Sequence, residues 1–279
     1  MSNAYFEIPI PINEVIKEYK DGSVEKKELL NTIQDMKNNH LDIPMIINGK
    51  EIKTNQKIEI RAPHNHKLKL GTFNEGDGSH VKMAIDSALE AKKEWGSMDW
   101  QSRASIFLKA AELIAGPYRS KINGSTMLGQ SKNVFQAEID AACEFIDFLN
   151  FNAAYMEEIY KNQPESSDGM WNRLDYRPLE GFIFAISPFN FTSIAGNLCA
   201  SPALMGNTVV WKPAYPQIYS ANIIMKVFKE AGLPDGVINI IYVDGPVAGD
   251  IIFKHKEFAG LHFTGSTAVF KNLWKDIGN

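Results

Sequence analysis

Apolar and polar positions alternate between two periods in the carboxyl-terminal part of the chain, from Leu179 onward. Four short runs, GFIFAIS, TVVWK, VINIIYV and GLHFT, are rich in the β-branched and aromatic residues that favour strands. A segment with helical composition or an apolar residue every three or four positions follows each run. Strands that alternate with helices predict a doubly wound α/β fold with a mostly parallel sheet, because parallel strands need a crossover connection.

The amino-terminal part is patterned differently. Its first forty residues are polar with alternating charge, which predicts an arm with one or two solvated helices. The stretch PMIINGKEIKTNQKIEI then predicts short strands and a hairpin at Asn48-Gly49. Helical periods occur in HVKMAIDSALEAKKEW, from Gln101 to Ala115 and from Val134 to Tyr160.

The segment between these helices and the α/β part has no helical period. Residues 162–177 contain Pro, Ser and Asp and predict a protruding loop or hairpin. The chain is therefore divided into an arm with a hairpin (1–60), a helical part (61–161), this protruding hairpin (162–177) and an α/β part (178–279).

Composition excludes several classes of partner. The chain has 279 residues, 44% of them hydrophobic, and a net charge of −4 with scattered Lys and Arg, which argues against a nucleic-acid surface. No apolar run approaches the roughly 20 residues of a membrane span. The amino terminus resembles neither a signal nor a transit peptide, so a cytoplasmic location is expected over the mitochondrial matrix. Cys143 and Cys199 form one bridge at most, and a reducing compartment is the simpler interpretation.

Candidate chemistry lies where two predicted strands end. Residues 183–213 form a strand, a helix and a second strand, and open α/β sheets bind ligands beyond the carboxyl ends of their strands. The residues at the two ends are Ser187, Pro188, Phe189, Asn190 and Phe191 after the first strand, and Lys212 and Pro213 at the second.

A third strand end is the junction His262 to Thr267. Gly265 permits a tight turn, and Ser266 is a good first residue for the helix that follows, whose free N–H groups could bind a phosphate. The alternative is a helix that Ser266 merely caps. The usual dinucleotide motif GxGxxG does not occur in the chain.

Taken in order, these motifs resemble the aldehyde dehydrogenase superfamily. Its pattern is matched by Pro-x-Asn-Phe at 188–191, Lys-Pro at 212–213, GLPDGVIN at 232–239 and Phe-Thr-Gly-Ser-Thr at 263–267. SPFNFT, QAEIDAACEFIDFLNFNAAY and GSTAVFKNLWK are similar to the members that oxidise glutamate γ-semialdehyde, the delta-1-pyrroline-5-carboxylate dehydrogenases of proline catabolism. The resemblance runs from about Pro9 to the last residue. It implies a Rossmann-like, NAD-binding part of the aldehyde dehydrogenase type.

The resemblance also implies residue roles. Asn190 would stabilise the oxyanion that forms on the aldehyde, and Phe191 would line the passage to it. Lys212 would bind ribose hydroxyls, and Ser266 the pyrophosphate. The whole cofactor set is Ser187, Pro188, Phe189, Lys212, Pro213, Gly245, Gly249, Gly265 and Ser266. Many NAD-preferring relatives have a carboxylate three residues after the lysine, where this chain has Tyr215.

Glu138 has two possible roles. Its carboxylate either pairs with the α-ammonium group of the semialdehyde substrate or belongs to a solvated helix face. The sequence leaves both open.

The family's cysteine nucleophile and glutamate base follow the Phe-Thr-Gly-Ser-Thr helix, and this chain stops at Asn279, before either. Cys143 and Cys199 are expected to be buried small hydrophobes. No metal site is expected, since His64 and His66 lack further ligands. We therefore expect a cofactor-binding part of an enzyme that is inactive alone, takes a small aldehyde and NAD, and forms a homo-oligomer through residues 162–177. The alternatives are a stand-alone, non-catalytic dinucleotide-binding module and another aldehyde dehydrogenase subfamily.

Overall fold

The computed structural model describes residues 5–278. In the amino-terminal half the elements are α1 (Val24–Asn38), β1 (Leu41–Ile43), β2 (Met45–Ile47), β3 (Lys50–Ile52), β4 (Lys57–Ala62), β5 (Asn65–Asn74), α2 (Gly78–Trp95), α3 (Trp100–Ala115), α4 (Arg119–Gln130), α5 (Val134–Ala137), a π-helical segment (Glu138–Cys143) and α6 (Glu144–Lys161). The second half contains β6 (Phe182–Ser187), α7 (Thr192–Leu204), β7 (Val209–Pro213), a 3₁₀ turn (Tyr215–Gln217), α8 (Ile218–Ala231), β8 (Ile238–Ile240), α9 (Gly245–Ile252), β9 (Phe258–Phe263) and α10 (Thr267–Gly278).

The main sheet has six strands in the order β3-β2-β8-β7-β6-β9. Strands β6 to β9 are parallel, and β2 pairs antiparallel with both β3 and β8, so the predicted doubly wound, mostly parallel α/β fold is confirmed. The chain moves outward from β6 through β7 to β8 and then returns to the other side of β6 as β9. Because of this reversal, the carboxyl ends of the neighbouring strands β6 and β9 mark the topological switch point, where such sheets bind ligands.

Helices cover both faces of the sheet. Helices α7 and α8 pack on one face with α3 and α6 behind them, and α2 packs with α9 on the other. Right-handed crossovers account for this split, because the step to β9 reverses direction and so places α9 on the opposite face. Strand β7 is buried on both sides, and its Trp211 is fully buried with its indole N–H donated to Ser187 Oγ at 3.0 Å.

The hairpin at Asn48-Gly49 is confirmed. Both residues have positive φ, 50° and 67°, as a two-residue type I′ turn requires. The side chain of Asn239 at β8 accepts from the Asn48 amide at 2.9 Å, which fixes the hairpin to the sheet edge.

Two irregular regions fall within what the sequence predicted, and one helix was not predicted. The described part of the arm contains one helix, α1, and is otherwise irregular. Residues 162–177 reverse direction without forming strands and so match the loop of the two predicted alternatives. The Gln163 side chain, rather than a strand ladder, bonds to the backbone of Leu174. Helix α4 was not predicted because its sequence, RSKINGSTMLGQ, buries polar Asn123, Ser125 and Thr126 and so lacks an apolar period.

Candidate functional site

The carboxyl edge of the sheet brings the predicted strand ends together. In strand order, the edge runs from Gly245 after β8, through Lys212 on β7 and Asn190 after β6, to Ser266 after β9. The end of β6 is held from both sides, because Ala214 N–H donates to the Ser187 carbonyl and Thr264 N–H to the Ile186 carbonyl, each at 3.2 Å. The four loops therefore form one continuous rim around the switch point.

Lys212 is a partly buried cation without an acceptor. Its Nζ lies 5.5 Å from the centre of the Tyr215 ring, and within residues 5–278 no oxygen accepts a hydrogen bond from it. Burial lowers the pKa of Lys212, and the charge of Asp244 partly opposes that shift. An ammonium group in this state is suited to donate hydrogen bonds to a bound hydroxyl or anion.

Gly245 leaves open backbone beside Lys212. A Cβ at Gly245 would lie 4.0 Å from Lys212 Cε, whereas a Cβ at Gly249, one turn further along α9, would lie 3.2 Å from the Phe253 ring. The start of α9 therefore presents backbone instead of a side chain next to the lysine, while Phe253 covers Gly249. A ligand can approach the helix closely there.

The turn before α10 keeps helix N–H groups free. A Cβ at Gly265 would lie 2.5 Å from Phe263 Cζ, so the turn requires glycine. Ser266 Oγ accepts from Val269 N–H at 3.3 Å, which makes Ser266 the cap of α10. The N–H groups of Thr267 and Ala268 have no acceptor among the described residues. Ser266 can therefore cap the helix while the helix also binds a phosphate, because the cap uses only one of the free N–H donors.

The residues that end β6 differ in what they offer a ligand. Ser187 is buried and its hydroxyl accepts from Trp211, so its side chain stabilises the sheet instead of facing the edge. Pro188 is also buried, as is Pro213 at the end of β7, and both shape their turns. Phe189 is exposed at the rim.

Asn190 and Phe191 lie next to each other before α7. The Asn190 side chain is partly exposed and has no hydrogen-bond partner in the part of the chain that the structure describes. Lys132 Nζ lies 4.0 Å above the Phe191 ring and pairs with Asp140 Oδ2 at 2.5 Å. No pattern in the sequence pointed to Lys132 or Asp140, because both lie far along the chain from Phe191.

Glu138 is in neither of the two predicted environments. Its side chain is fully buried, so it is not on a solvated face, and its oxygens are occupied within the chain. Arg119 Nη2 and Lys17 N–H donate to Oε1 at 2.5 and 2.8 Å, and Tyr19 Oη and Asn123 Nδ2 donate to Oε2 at 2.7 Å each. Glu138 therefore anchors the arm to the π-helical segment, and we leave it out of the substrate site.

Both cysteines are buried and unpaired, as predicted. Burial raises the pKa of the Cys143 thiol to about 12, to which the nearby charge of Glu138 adds. Burial also raises the pKa of Cys199, whose sulfur lies against backbone carbonyls of its own helix. In residues 5–278 no three His, Cys, Asp or Glu side chains gather as metal ligands. Over the same range no helix combines the length and apolarity of a membrane span.

Comparison with known proteins places the chain. The sequence model of the Aldehyde dehydrogenase family matches residues 51–279. The probable delta-1-pyrroline-5-carboxylate dehydrogenase of Schizosaccharomyces pombe is 48% identical over 99% of this chain and 50% of its own length. The delta-1-pyrroline-5-carboxylate dehydrogenase of Agaricus bisporus is 49% identical over 99% of this chain and 51% of its own length.

Among solved structures, the Mycobacterium tuberculosis delta-pyrroline-5-carboxylate dehydrogenase bound with NAD is 45% identical, with a TM-score of 0.97. The match covers 99% of this chain and 52% of that one. The chain thus spans about half the length of the relatives it matches. On these matches, the chain belongs to the aldehyde dehydrogenase family.

Proposed function

We propose that the carboxyl edge of the sheet binds NAD, and that the full-length protein uses it to oxidise L-glutamate γ-semialdehyde to L-glutamate. The observation that carries the proposal is the Lys212 ammonium, which has no acceptor and lies beside open glycine backbone on the same edge as the free N–H groups of α10. The relatives' names, and the NAD in the structure from Mycobacterium tuberculosis, support the choice of aldehyde and cofactor.

The donors of this edge fit the chemistry of a dinucleotide. Lys212 would donate to ribose hydroxyls, and the N–H groups that begin α10, with Ser266 and Gly265, would receive the pyrophosphate. The bare backbone at Gly245, at the start of the helix that also bears Gly249, would allow close contact. When bound, NAD supplies the hydride acceptor of the reaction.

The residues after β6 belong to the aldehyde side of the site. The Asn190 amide would donate a hydrogen bond to the aldehyde oxygen as negative charge develops there. Phe191, with Lys132 above its ring, would line the passage to that oxygen. The chain's own part in the reaction is thus to bind the cofactor and to stabilise an oxyanion.

We also propose that residues 1–279 form a cofactor-binding part that is inactive alone, since neither buried thiol is suited to attack an aldehyde. Residues 162–177 expose Met170 and Trp171, at 63% and 88%, and we propose them as a contact in a homo-oligomer. The two free thiols suit a reducing compartment, for which we propose the cytoplasm. The relatives from Dictyostelium discoideum and Homo sapiens are named as mitochondrial, so the matrix is the alternative.

The test is NADH formation by the full-length protein from pyrroline-5-carboxylate and NAD. Asn190→Ala is expected to lower kcat by about 10²–10³-fold, the usual effect of removing an oxyanion donor. Asn31→Ala, on the exposed face of α1, serves as the control. Absence of turnover by the parent protein, or full activity of Asn190→Ala, would contradict the proposal.

A further inference from the structure

Tyr215 connects the Lys212 edge to a carboxylate from a distant part of the chain. The Tyr215 hydroxyl donates to Glu75 Oε1 at 2.5 Å, across 140 positions of sequence. Burial raises the pKa of Tyr215, and Glu75 adds to the shift, so the phenol keeps its proton and acts as the donor. The ring of the same tyrosine lies below Lys212 Nζ at 5.5 Å.

Glu75 is held in place by three further hydrogen bonds. Gln56 Nε2 donates to its Oε2 at 2.8 Å, and its own N–H and carbonyl bond to Gln56 O and Thr54 Oγ1, also at 2.8 Å. Two residues earlier, Phe73 packs on the Tyr215 ring with centroids 4.9 Å apart. Because alternate residues of an extended chain share a side, Phe73 supports the ring while Glu75 receives the hydroxyl.

The loop that bears Glu75 is attached to the carboxyl edge of the main sheet. Gly76 N–H donates to the Tyr242 carbonyl at 2.9 Å, directly before the loop to Asp244 and Gly245. Asp244 is exposed there and its charge acts on both Lys212 and Tyr215. Asp244 thus acts on Lys212 directly, while Glu75 is joined through the Tyr215 hydroxyl to the ring that lies below Lys212, and no arginine lies among these residues.

This charge pattern distinguishes two kinds of adenosine ribose. A carboxylate accepts hydrogen bonds from a 2′,3′-diol, whereas a 2′-phosphate next to it suffers charge repulsion and normally requires an arginine partner. We propose that Glu75, fixed by the Tyr215 hydroxyl, is the specificity-determining residue that makes this site accept NAD and reject NADP. The inference rests on the proposed NAD site and adds to it which ribose that site takes.

The test measures the dissociation constants of NAD and NADP for the full-length protein by calorimetry, without any turnover. Glu75→Gln is expected to reduce the preference for NAD over NADP by on the order of tenfold, because it removes the charge and keeps the shape. Tyr215→Phe is expected to act in the same direction and more weakly, since Glu75 keeps its contact with Gln56. Glu158→Gln, an exposed glutamate of α6, is the control for a change of one charge.

Salt gives a second readout. Added salt should narrow the preference of the parent protein for NAD, because it screens the repulsion, and should change that of Glu75→Gln much less. An unchanged ratio in folded Glu75→Gln, with NAD still bound by the parent, would overturn the role of Glu75 while the proposed function stands. A ratio that changes in Asp244→Asn but not in Glu75→Gln would overturn it as well. If neither cofactor binds the parent, the proposed function fails and this inference with it.

Discussion

At the scale of single residues, Lys212 is the charged hydrogen-bond donor of the proposed cofactor site. A partly buried ammonium group without an acceptor is unfavourable in the free protein and is satisfied when a ligand accepts its hydrogen bonds. Lys212→Ala is therefore expected to weaken NAD binding by about 1–3 kcal/mol, the scale of a hydrogen bond to a charged group. Calorimetry on the folded protein measures this, with Lys82→Ala on the exposed face of α2 as the control. Equal binding by both variants would remove Lys212 from the site.

The buried ion pair of Glu138 and Arg119 is expected to contribute to the stability of the fold and not to cofactor binding. Removing one partner of a buried ion pair leaves an uncompensated charge, so Glu138→Gln is expected to lower the free energy of unfolding by about 3–5 kcal/mol. Urea unfolding measures the loss, and Glu158→Gln is the matched control. A loss below about 1 kcal/mol, the value of an exposed pair, would show that the network does not stabilise the arm.

The same carboxylate predicts a pH dependence. Burial alone would raise the pKa of Glu138, but hydrogen bonds from Arg119, Lys17 N–H and Tyr19 more than offset this and lower it. A pKa that is lower in the folded state than in the unfolded one stabilises the protein above the unfolded value, about 4.3 for glutamate. That stability is lost as the pH falls through the folded pKa. Below about pH 4.3 the parent should therefore lose more stability than Glu138→Gln, and parallel curves from acid urea titrations would contradict this.

At the scale of elements, the period of apolar residues predicted those helices and strands that bury a regular face. The four strands and four helices after Leu179 were predicted because each buries one face or both against neighbours, which leaves a period in the sequence. The π-helical segment Glu138–Cys143 was not, because the contacts of Glu138 come from the arm and from α4, outside the segment, and leave no local pattern. Residues 162–177 form the loop of the two predicted alternatives, and side chains, rather than a ladder, close its reversal.

Gly196 fixes the distance between α6 and α7. A Cβ there would lie 2.2 Å from Phe145 Cζ, so Gly196→Ala is expected to destabilise the protein by about 1–3 kcal/mol through overpacking. On an open helix the same change would stabilise by about 0.5–1 kcal/mol. Thermal unfolding of the single variant, Phe145→Leu and the double variant measures the coupling. If Phe145→Leu does not reduce the cost of Gly196→Ala, the close approach of the two helices is not its cause.

At the scale of the whole molecule, the sequence predicted where the site lies better than how it is built. Strand ends meet at one edge in any parallel sheet, so Asn190, Lys212 and Ser266 could be placed together in advance. Two contacts at this edge join elements far apart in sequence: Tyr215 with Glu75, and Phe191 with Lys132. Such contacts leave no spacing rule in a single chain, and only the folded structure reveals them.

The arrangement of the whole chain also predicts that residues 1–279 alone do not oxidise aldehydes. Asn190 can stabilise an oxyanion only after a nucleophile has added to the carbonyl, and both thiols are buried with raised pKa values, so little thiolate is present. With pyrroline-5-carboxylate and NAD, this chain should form no NADH above the rate without protein, while the full-length protein turns over. Calorimetry with NAD verifies that the shorter chain is folded and binds cofactor. Turnover by the shorter chain that Cys143→Ala or Cys199→Ala abolishes would instead make that buried thiol the nucleophile.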